Sequence, residues 1–588
     1  MTRGANTYFG LVPQQWRSAV GTVDRYDCWL VIFLIGVWCE LGFRVLHDPQ
    51  SMASDPVGHY LDSVKIITDV WNSSLFTIRV HYPPFVSIVA VPFNLLFDFD
   101  EKVALIGTQG LFLVSLLGAT YLIGKRLYSG AIGLAAAVIL FLYPTVYGQS
   151  GIFMLDVPLA AMVAITLWLV LKTEGFSDAR YGIPLGLVLG FGMWTKPTFC
   201  IFVVPAMCFY LVSNLYCDRV NGVVISKNSR WAAFIKPVVI GGIIASVWYL
   251  PRLRDLFGNV WHDAIIAMPA QGELAPTSFQ GLVRYQIYYF QYLWINTSVP
   301  LMVAFVPAGL YMLRNRIRGK YFLLSWLIGA SILCGLMPAV EPRYFLPALP
   351  AVALITAAGL AGLYERGAAT KWATGIVAAG LVTWAAVQLY AQSYGVSYFP
   401  AGRMIPSRPL ESSPFIVFSQ HHSYVDNLSE PQFNIDPIWR ALRRAIIRSG
   451  RHNATVALFV PWYIRSALWL PIDTWHFRHK KPSIVAIDNP TNANRAVDYI
   501  VLAEGQDPNV VAAEPYFSGV LGRKEYQKLW HGRIQVGYGS SSWPLRVQIL
   551  ERRAEGRAGK PQKGITGPGS EVAEEEFVAR MGQVSRSE

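Results

Sequence analysis

Residues 153–171, FMLDVPLAAMVAITLWLVL, form an apolar stretch that contains a single acid, Asp156. No other charged residue lies between Arg126 and Lys172. A helix needs about 20 mostly apolar residues to cross a bilayer. An ionisable group beside hydrocarbon is costly and usually has a partner or a task. The stretch therefore predicts a membrane span with a functional acid near one end.

The composition extends this prediction to the whole chain of 588 residues, of which 53% are hydrophobic and 15% charged. A typical soluble domain has about 25% charged residues. The 31 Phe, 29 Tyr and 19 Trp exclude a mainly disordered chain, and six Cys are too few for a disulfide scaffold. Lys and Arg in cytoplasmic loops explain the net charge of +13. The sequence shows no basic face of the kind that binds nucleic acids. We expect an α-helical multi-pass membrane protein.

Eleven apolar segments alternate with charged breaks before residue 400, which predicts about 11 transmembrane helices. They are residues 27–44, 103–124, 131–148, 153–171, 181–195, 198–216, 233–250, 297–313, 321–339, 344–363 and 372–391. The stretch PPFVSIVAVPFNLLF after Tyr82 is also apolar, but it is short and holds three prolines. We expect it to lie at the membrane interface rather than to cross.

The distribution of Lys and Arg supports that choice. If residues 84–97 do not cross, one set of loops collects nearly all of the basic residues outside the two long loops, 45–102 and 251–296. The loops rich in Lys and Arg are cytoplasmic in most membrane proteins. The predicted order is a cytoplasmic N-terminus at residues 1–26, a transmembrane domain at 27–393 whose two long loops are outside, and an outer segment after it.

The outer segment, residues 394–551, predicts an extracytoplasmic α/β domain. ATVALFV, PSIVAID and DYIVLAEG are strand-like, and YIRSALWL and GRKEYQKLW are helix-like. Residues 552–588 are rich in Gly, Pro and charge, which is typical of a disordered tail.

The polar residues that interrupt the apolar sequence all fall at the outer face in this topology, although only Lys and Arg in the loops were used to orient the chain. They are Asp55, His59, Asp156, Lys196, Glu341 and Arg343. Each alone could be an interfacial or snorkelling group. Together they indicate one site, in which Lys196 and Arg343 are cationic partners for Asp156 or for an anionic ligand. No His/Cys cluster has the spacing of a metal site.

The order of these features resembles the GT-C glycosyltransferases. It is most similar to the branch that contains the dolichyl-phosphate-mannose protein mannosyltransferases and the bacterial aminoarabinose transferases of lipid A. The similar stretches span residues 50–360 and are SDPVGHYLDS, HYPPFVSIVAVPFNLLF, LIGKRLYSGAIGLAAAVILFLYPTV, FMLDVPLAAMVAITLWL, GLVLGFGMWTKPTF and EPRYFLPALPAVALI. In these families the first outer loop usually holds an Asp-Glu pair.

The resemblance implies roles for particular residues. Asp55 matches the candidate catalytic base, but Pro56 replaces the second acid, for which Asp62 or His59 could compensate. Substrate-binding residues are expected among those that match or adjoin the family positions, namely Asp156, Lys196, Arg343, Tyr344, Glu341, His59, Tyr60 and Tyr82. The resemblance also implies juxtamembrane helices at Leu61–Trp71 and Pro84–Phe97.

The implied reaction moves a sugar from a polyprenyl-phosphate carrier to a glycan, lipid or protein acceptor on the periplasmic face of a bacterial inner membrane. Attack opposite the phosphate predicts inversion at the anomeric carbon. The resemblance implies no required cofactor, and a divalent metal stays open. Two other functions stay open as well: a transporter or flippase for a lipid-linked substrate, which also has many spans and a few buried ionisable groups, and a non-catalytic membrane scaffold.

Overall fold

The structure is a computed structural model that describes part of the chain. The described residues are 24–47, 55–71, 82–221, 227–253, 296–335, 342–394, 435–449, 453–460, 483–487, 497–504, 526–538 and 541–552, with single positions between 280 and 293 and at 467, 468 and 472. They belong to two compact units: Met1–Gln432 with Gly537–Ser542, and Phe433–Val536 with Trp543–Glu588.

The described residues of the first unit between 24 and 394 form helices joined by turns and short connections. Its helices are α1 (Arg25–His47), α2 (Asp55–Trp71), α3 (Phe85–Leu96), α4 (Glu101–Leu127), α5 (Gly130–Phe141), α6 (Pro144–Ser150), α7 (Asp156–Lys172), α8 (Gly182–Met193), α9 (Phe199–Asn221), α10 (Lys227–Tyr249), α11 (Val299–Arg314), α12 (Lys320–Cys334), α13 (Leu349–Tyr364) and α14 (Ala368–Tyr394). Short 3-10 helices lie at Ala179–Tyr181, Leu250–Arg252 and Pro342–Ala348.

Each of the eleven predicted spans overlaps one or two of these helices, and the chain is a multi-pass membrane protein. Five helices in the described ranges are long and apolar enough to cross a bilayer, or six if α5 and α6 form one broken span. These two helices meet at an angle of 67°. Pro144 at the start of α6 explains the break, because proline cannot donate the backbone hydrogen bond that would continue α5. The count of eleven and the orientation stay predictions.

Helix α4 lies in the core of this unit and packs against α5 and α7. Two glycines allow its close approach to α5. A Cβ atom on Gly133 would overlap the Tyr121 carbonyl oxygen, and one on Gly124 would lie 2.6 Å from the Gly133 Cα. This contact fits the preference of membrane helices for small residues where two backbones meet. It lies beside the turn that joins α4 to α5.

Helices α2 and α3 form a short pair beside this core. The Asn94 side-chain amide donates a hydrogen bond of 2.8 Å to Ser63 Oγ, and the Tyr60 hydroxyl donates one of 3.0 Å to the Phe99 carbonyl. With 12 residues, α3 is about 18 Å long, against about 30 Å for the hydrocarbon core. It exposes Leu95 and Leu96. These properties support the interfacial position predicted for residues 84–97.

The second unit contains a helix, α15 (Asp436–Ser449), and five strands. The strands are β1 (Asn453–Phe459), β2 (Ser483–Ile487), β3 (Tyr499–Glu504), β4 (Tyr526–Tyr538) and β5 (Ser541–Arg552), in the sheet order β2-β1-β3-β5-β4. Strand β1 is parallel to β2 and β3, whereas β5 is antiparallel to β3. Residues from β1, β3 and β5 bury a common core that includes Ala457, Ile500 and Leu550.

The predicted strands at ATVALFV, PSIVAID and DYIVLAEG coincide with β1, β2 and β3. The helix predicted at GRKEYQKLW is wrong, because its second half begins strand β4. The helix-like composition of that segment is overridden by pairing with the neighbouring β5, which completes the sheet. Of YIRSALWL, only residues 467 and 468 are described, and both are helical. The predicted tail lies outside the described residues beyond Arg552.

Candidate functional site

Four charged residues predicted for the site come from four separate elements of the first unit. Asp55 and Asp156 are the first residues of α2 and α7, Lys196 lies in the short connection between α8 and α9, and Arg343 lies in the 3-10 helix Pro342–Ala348. A carboxylate at a helix N-terminus is stabilised by the helix dipole and by unpaired backbone N–H groups. The elements therefore place both acids where a negative charge is favoured.

Ion pairs connect these four side chains. Lys196 Nζ lies 3.0 Å from Asp156 Oδ1, and Arg343 Nε lies 3.7 Å from Asp156 Oδ2. Arg343 Nη2 is also 3.9 Å from Asp55 Oδ2, so Arg343 is shared between the two acids. The predicted convergence of these residues is thus present in the structure.

Burial differs sharply between the two acids. The Asp156 side chain is 1% exposed and its cationic partners are 19% and 11% exposed, whereas Asp55 is 54% exposed. Charges attract more strongly where water is excluded. Asp156 is therefore the buried anchor of both cations, and Asp55 is the acid that a second molecule can reach.

Tyr344 adds an aromatic surface to the cations. Its ring centroid is 4.6 Å from Lys196 Nζ and 5.6 Å from Arg343 Cζ. A cation within about 6 Å of a ring centroid is attracted by the ring's negative face. The ring therefore helps to hold both cations at the site.

His59 lies one turn after Asp55 on α2 and is 4% exposed. Its ring centroid is 4.4 Å from that of Tyr82. Burial lowers the pKa of His59 to about 4, although Asp55 and Asp156 act in the opposite direction. The imidazole is therefore neutral at pH 7 and can accept or donate a hydrogen bond without adding charge.

The low pKa of His59 makes a prediction about stability. In the unfolded chain His59 titrates near 6.5 and in the folded chain near 4, so the unfolded state binds more protons between these values. The free energy of unfolding should therefore fall as the pH is lowered from 6.5 to 4, and this contribution should be fully present above 6.5. His59→Gln should lose less thermal stability than the wild type between pH 7 and pH 5. Equal losses in both proteins would contradict the assignment.

One further predicted residue, Tyr60, is not part of this cluster. Tyr60 is fully buried, and its ring centroid lies 5.6 Å from that of Phe153 in an edge-to-face arrangement. Its hydroxyl donates a hydrogen bond to the Phe99 carbonyl. Glu341 lies outside the described residues. Asp62 is 3% exposed and pairs with Lys65 at 3.3 Å on the same helix.

Sequence reasoning missed two residues that hold the segment before Asp156. Gln109 on α4 donates a hydrogen bond of 2.7 Å to the Met154 carbonyl. Arg44 on α1 donates one of 3.1 Å to Ser150 Oγ and pairs with Glu40 at 3.1 Å. The Glu40–Arg44 spacing within an apolar helix was a usable signal, because charges inside a span usually pair with each other. Gln109 gave no signal of its own.

In the usual pattern of a metal site, several ligand side chains lie close together. The described residues contain no group of three or more His, Cys, Asp or Glu side chains that could hold a metal ion. The two acids of the site face Lys196 and Arg343 instead.

Comparison with known proteins adds to this geometry. Residues 81–224 match the family model described as dolichyl-phosphate-mannose-protein mannosyltransferase. The structure of ArnT from Cupriavidus metallidurans in the apo state aligns with 90% of this chain and 98% of its own, with a TM-score of 0.55 and 14% identity. The chain has the GT-C fold. The fold and the match over residues 81–224 agree with the resemblance to the mannosyltransferase and ArnT-like branch.

A second structure agrees with this result. ArnT from Cupriavidus metallidurans bound to undecaprenyl phosphate aligns with 91% of this chain and 99% of its own, with a TM-score of 0.52 and 14% identity. No curated protein matches the sequence. The family match includes Tyr82, Asp156 and Lys196 but neither Asp55 nor Arg343. The comparisons therefore show the fold and relate residues 81–224 to a mannosyltransferase family.

Proposed function

We propose that this GT-C protein transfers a sugar from a polyprenyl-phosphate-linked donor to an acceptor on the outer face of the membrane, with inversion at the anomeric carbon. The observation that carries the proposal is the chain of ion pairs from Lys196 through Asp156 and Arg343 to Asp55. It brings two cations that can bind a phosphate next to one accessible carboxylate that can accept a proton. The family match and the fold support the same activity.

Lys196 and Arg343 bind the donor phosphate in this proposal. The donor is a phosphodiester with one negative charge, and the leaving carrier is a phosphate monoester on which a second charge develops. Fixed cations in a site that excludes water stabilise developing charge without having to reorient. The two cations are already balanced by two carboxylates. Asp156 is buried and retains its partners, so the phosphate competes chiefly with Asp55 for Arg343.

Asp55 is the proposed general base. The acceptor hydroxyl oxygen forms a bond to the anomeric carbon as the bond from that carbon to the phosphate oxygen breaks, and the electron pair of the broken bond stays on the phosphate. The hydroxyl proton passes to Asp55. Its 54% exposure leaves room for an acceptor. Pro56 lies in the first turn of α2, where proline is tolerated because its missing N–H would have no helical partner.

His59 and Tyr82 are proposed to contact the substrates next to Asp55. A neutral imidazole can hydrogen-bond a sugar or acceptor hydroxyl without disturbing the balance of charges. In this chain His59 stands one turn from Asp55, whereas related families have an acid directly after the first one. We propose that His59, whose ring faces Tyr82, fulfils the acceptor-binding part of that role, because Asp62 is paired with Lys65.

An apolar cluster near Lys196 is suited to the prenyl chain. Ile66 and Trp248 are buried there, with Val91, Trp194 and Tyr249 packed against them. Trp194 is two residues from Lys196, and its backbone carbonyl accepts a hydrogen bond of 3.1 Å from Phe85 of α3. Helix α3, which packs against this cluster through Val91, also exposes Ile88, Leu95 and Leu96. A lipid-borne donor is consistent with a charged site that adjoins such a surface.

The outer-face assignment follows from the Lys and Arg distribution. It puts the N-terminus in the cytoplasm, the site on the periplasmic side of a bacterial inner membrane and residues 394–551 outside. Acceptors on that side include glycans, lipids and proteins. The outer compartment offers no nucleotide sugars, which favours a donor carried by a lipid.

A transfer assay tests the proposal. Proteoliposomes that contain the full chain are given polyprenyl-phosphate sugars with a radiolabelled sugar, together with an extract of the cell envelope. The label should move from the lipid fraction to an acceptor, with release of polyprenyl phosphate. Movement of the intact labelled lipid between leaflets without cleavage would instead identify a transporter, and no change in the label would favour a scaffold.

Lys196→Ala should weaken donor binding and slow transfer, since Lys196 is proposed to contact the phosphate in the ground state and in the transition state. A charge-assisted hydrogen bond contributes about 1.5–3 kcal/mol, so kcat/KM should fall about 10–150-fold. Lys196→Arg keeps the charge and should lose less activity. Steady-state rates at varied donor concentration measure both. A normal KM for the donor in Lys196→Ala would remove Lys196 from the phosphate site.

A further inference from the structure

The helix α15 of the second unit has two different faces. Ile438, Leu442 and Ile446 are at most 1% exposed, and Ala445 is 7% exposed. Residues at this spacing lie on one side of a helix. That side packs inward, and the Tyr499 hydroxyl of β3 donates a hydrogen bond of 3.3 Å to the Ala445 carbonyl. The opposite side of α15 is therefore turned away from the sheet.

The outward side carries arginines. It consists of Arg440, Arg443, Arg444 and Arg448, which we call the arginine face. Arg440 and Arg448 are exposed, and the other two are half-buried. The only acid of the helix is Asp436, its first residue. Four guanidinium groups on one side of a short helix concentrate positive charge there, and such a patch attracts anions.

We propose that the arginine face binds the headgroups of anionic phospholipids. A guanidinium group matches phosphate with two parallel hydrogen bonds, and each arginine near an anionic bilayer adds to the attraction. The half-buried Trp439 beside the arginines is a residue type enriched at membrane interfaces.

The chain itself supplies the reason to choose a lipid surface over other anions. Helix α14 belongs to the membrane unit and ends at Tyr394, and α15 begins at Asp436. The connection, residues 395–434, can extend to about 140 Å at most. Because one chain carries both the membrane helices and the arginine face, binding of this face to the surrounding bilayer is an intramolecular event with a high effective concentration. This proposal does not depend on the glycosyltransferase activity.

The experiment measures the reactivity of individual arginines in the full chain. The protein is placed in nanodiscs of phosphatidylcholine alone or of equal parts phosphatidylcholine and phosphatidylglycerol, treated with phenylglyoxal and analysed by peptide mass spectrometry. Arg440 and Arg448 should react about fivefold more slowly with phosphatidylglycerol present. Arg546, an exposed arginine on β5 of the same unit, should react equally in both. In 1 M salt, where the Debye length is about 3 Å, the protection should disappear.

Two matched variants separate this proposal from a general charge effect. Arg440→Gln with Arg444→Gln removes two charges from the arginine face, and Lys528→Gln with Arg546→Gln removes two exposed charges from the sheet. Protection of Arg448 by phosphatidylglycerol should be lost in the first variant and kept in the second. The proposal is overturned if Arg440 and Arg448 react equally in both lipids. It is equally overturned if soluble polyphosphate, but not phosphatidylglycerol, protects them.

Discussion

Asp55→Asn should lower the rate of sugar transfer by about 10²–10⁴-fold, the usual contribution of a general base. Asparagine has nearly the same shape as aspartate but cannot take the acceptor proton. Asp55 is 54% exposed, so its replacement should cost little stability. Donor binding should be unchanged or tighter, because Arg343 Nη2 no longer faces Asp55 Oδ2 at 3.9 Å and can contact the phosphate.

The control for Asp55→Asn is Asp98→Asn. Asp98 is an exposed acid in the turn after α3, and its left-handed backbone, with φ of 52°, suits asparagine. Transfer by Asp98→Asn should equal that of the wild type. Single-turnover rates at saturating donor measure the proton-transfer step without a contribution from donor binding. Near-normal turnover in Asp55→Asn would remove Asp55 from the role of base.

Asp156→Ala should have the largest effect on stability. Its carboxylate is 1% exposed and faces both Lys196 and Arg343. Removing one partner from a buried ion pair costs about 3–5 kcal/mol, because a buried charge loses its compensation. The melting temperature of the full chain in detergent should therefore fall clearly, and transfer should be lost with it.

A double replacement separates the stability of the site from its chemistry. Asp156→Leu combined with Lys196→Met replaces the buried pair with apolar side chains of similar size, an exchange that is often neutral for stability. The melting temperature should recover in part relative to Asp156→Ala, because Arg343 still loses Asp156 but keeps Asp55 at 3.9 Å. Transfer should not recover. Recovery of both would mean that Lys196 has no part in the reaction. A wild-type melting temperature in Asp156→Ala would contradict the anchoring role of Asp156.

The helical fold was predictable because its cause is local. Long apolar segments must form helices in a bilayer, since no other short structure satisfies their backbone groups. Even the break between α5 and α6 had a signal in Pro144. Strand β4 was not predictable in this way, because a segment with a helix-like composition becomes a strand only when a neighbouring strand pairs with it.

The candidate site was partly predictable. Asp156 and Lys196 interrupt apolar sequence, and one topology places them on the same side as Asp55 and Arg343. The sequence could not show which side chains contact each other. In the structure Arg343 contacts both acids, and the Tyr60 hydroxyl donates a hydrogen bond to the Phe99 carbonyl. These contacts join side chains from elements that are distant in the sequence. Gln109 was missed for the same reason, since its role is a single contact with the Met154 carbonyl.

The central claim is that Arg343 and Lys196 hold a polyprenyl phosphate beside Asp55. Its most direct test is the Kd of polyprenyl phosphate for the purified full chain, which requires no knowledge of the sugar. Arg343→Gln should bind about 10–150-fold more weakly than the wild type, and Asp55→Asn should bind at least as tightly. Equal affinity in the wild type and Arg343→Gln would contradict it.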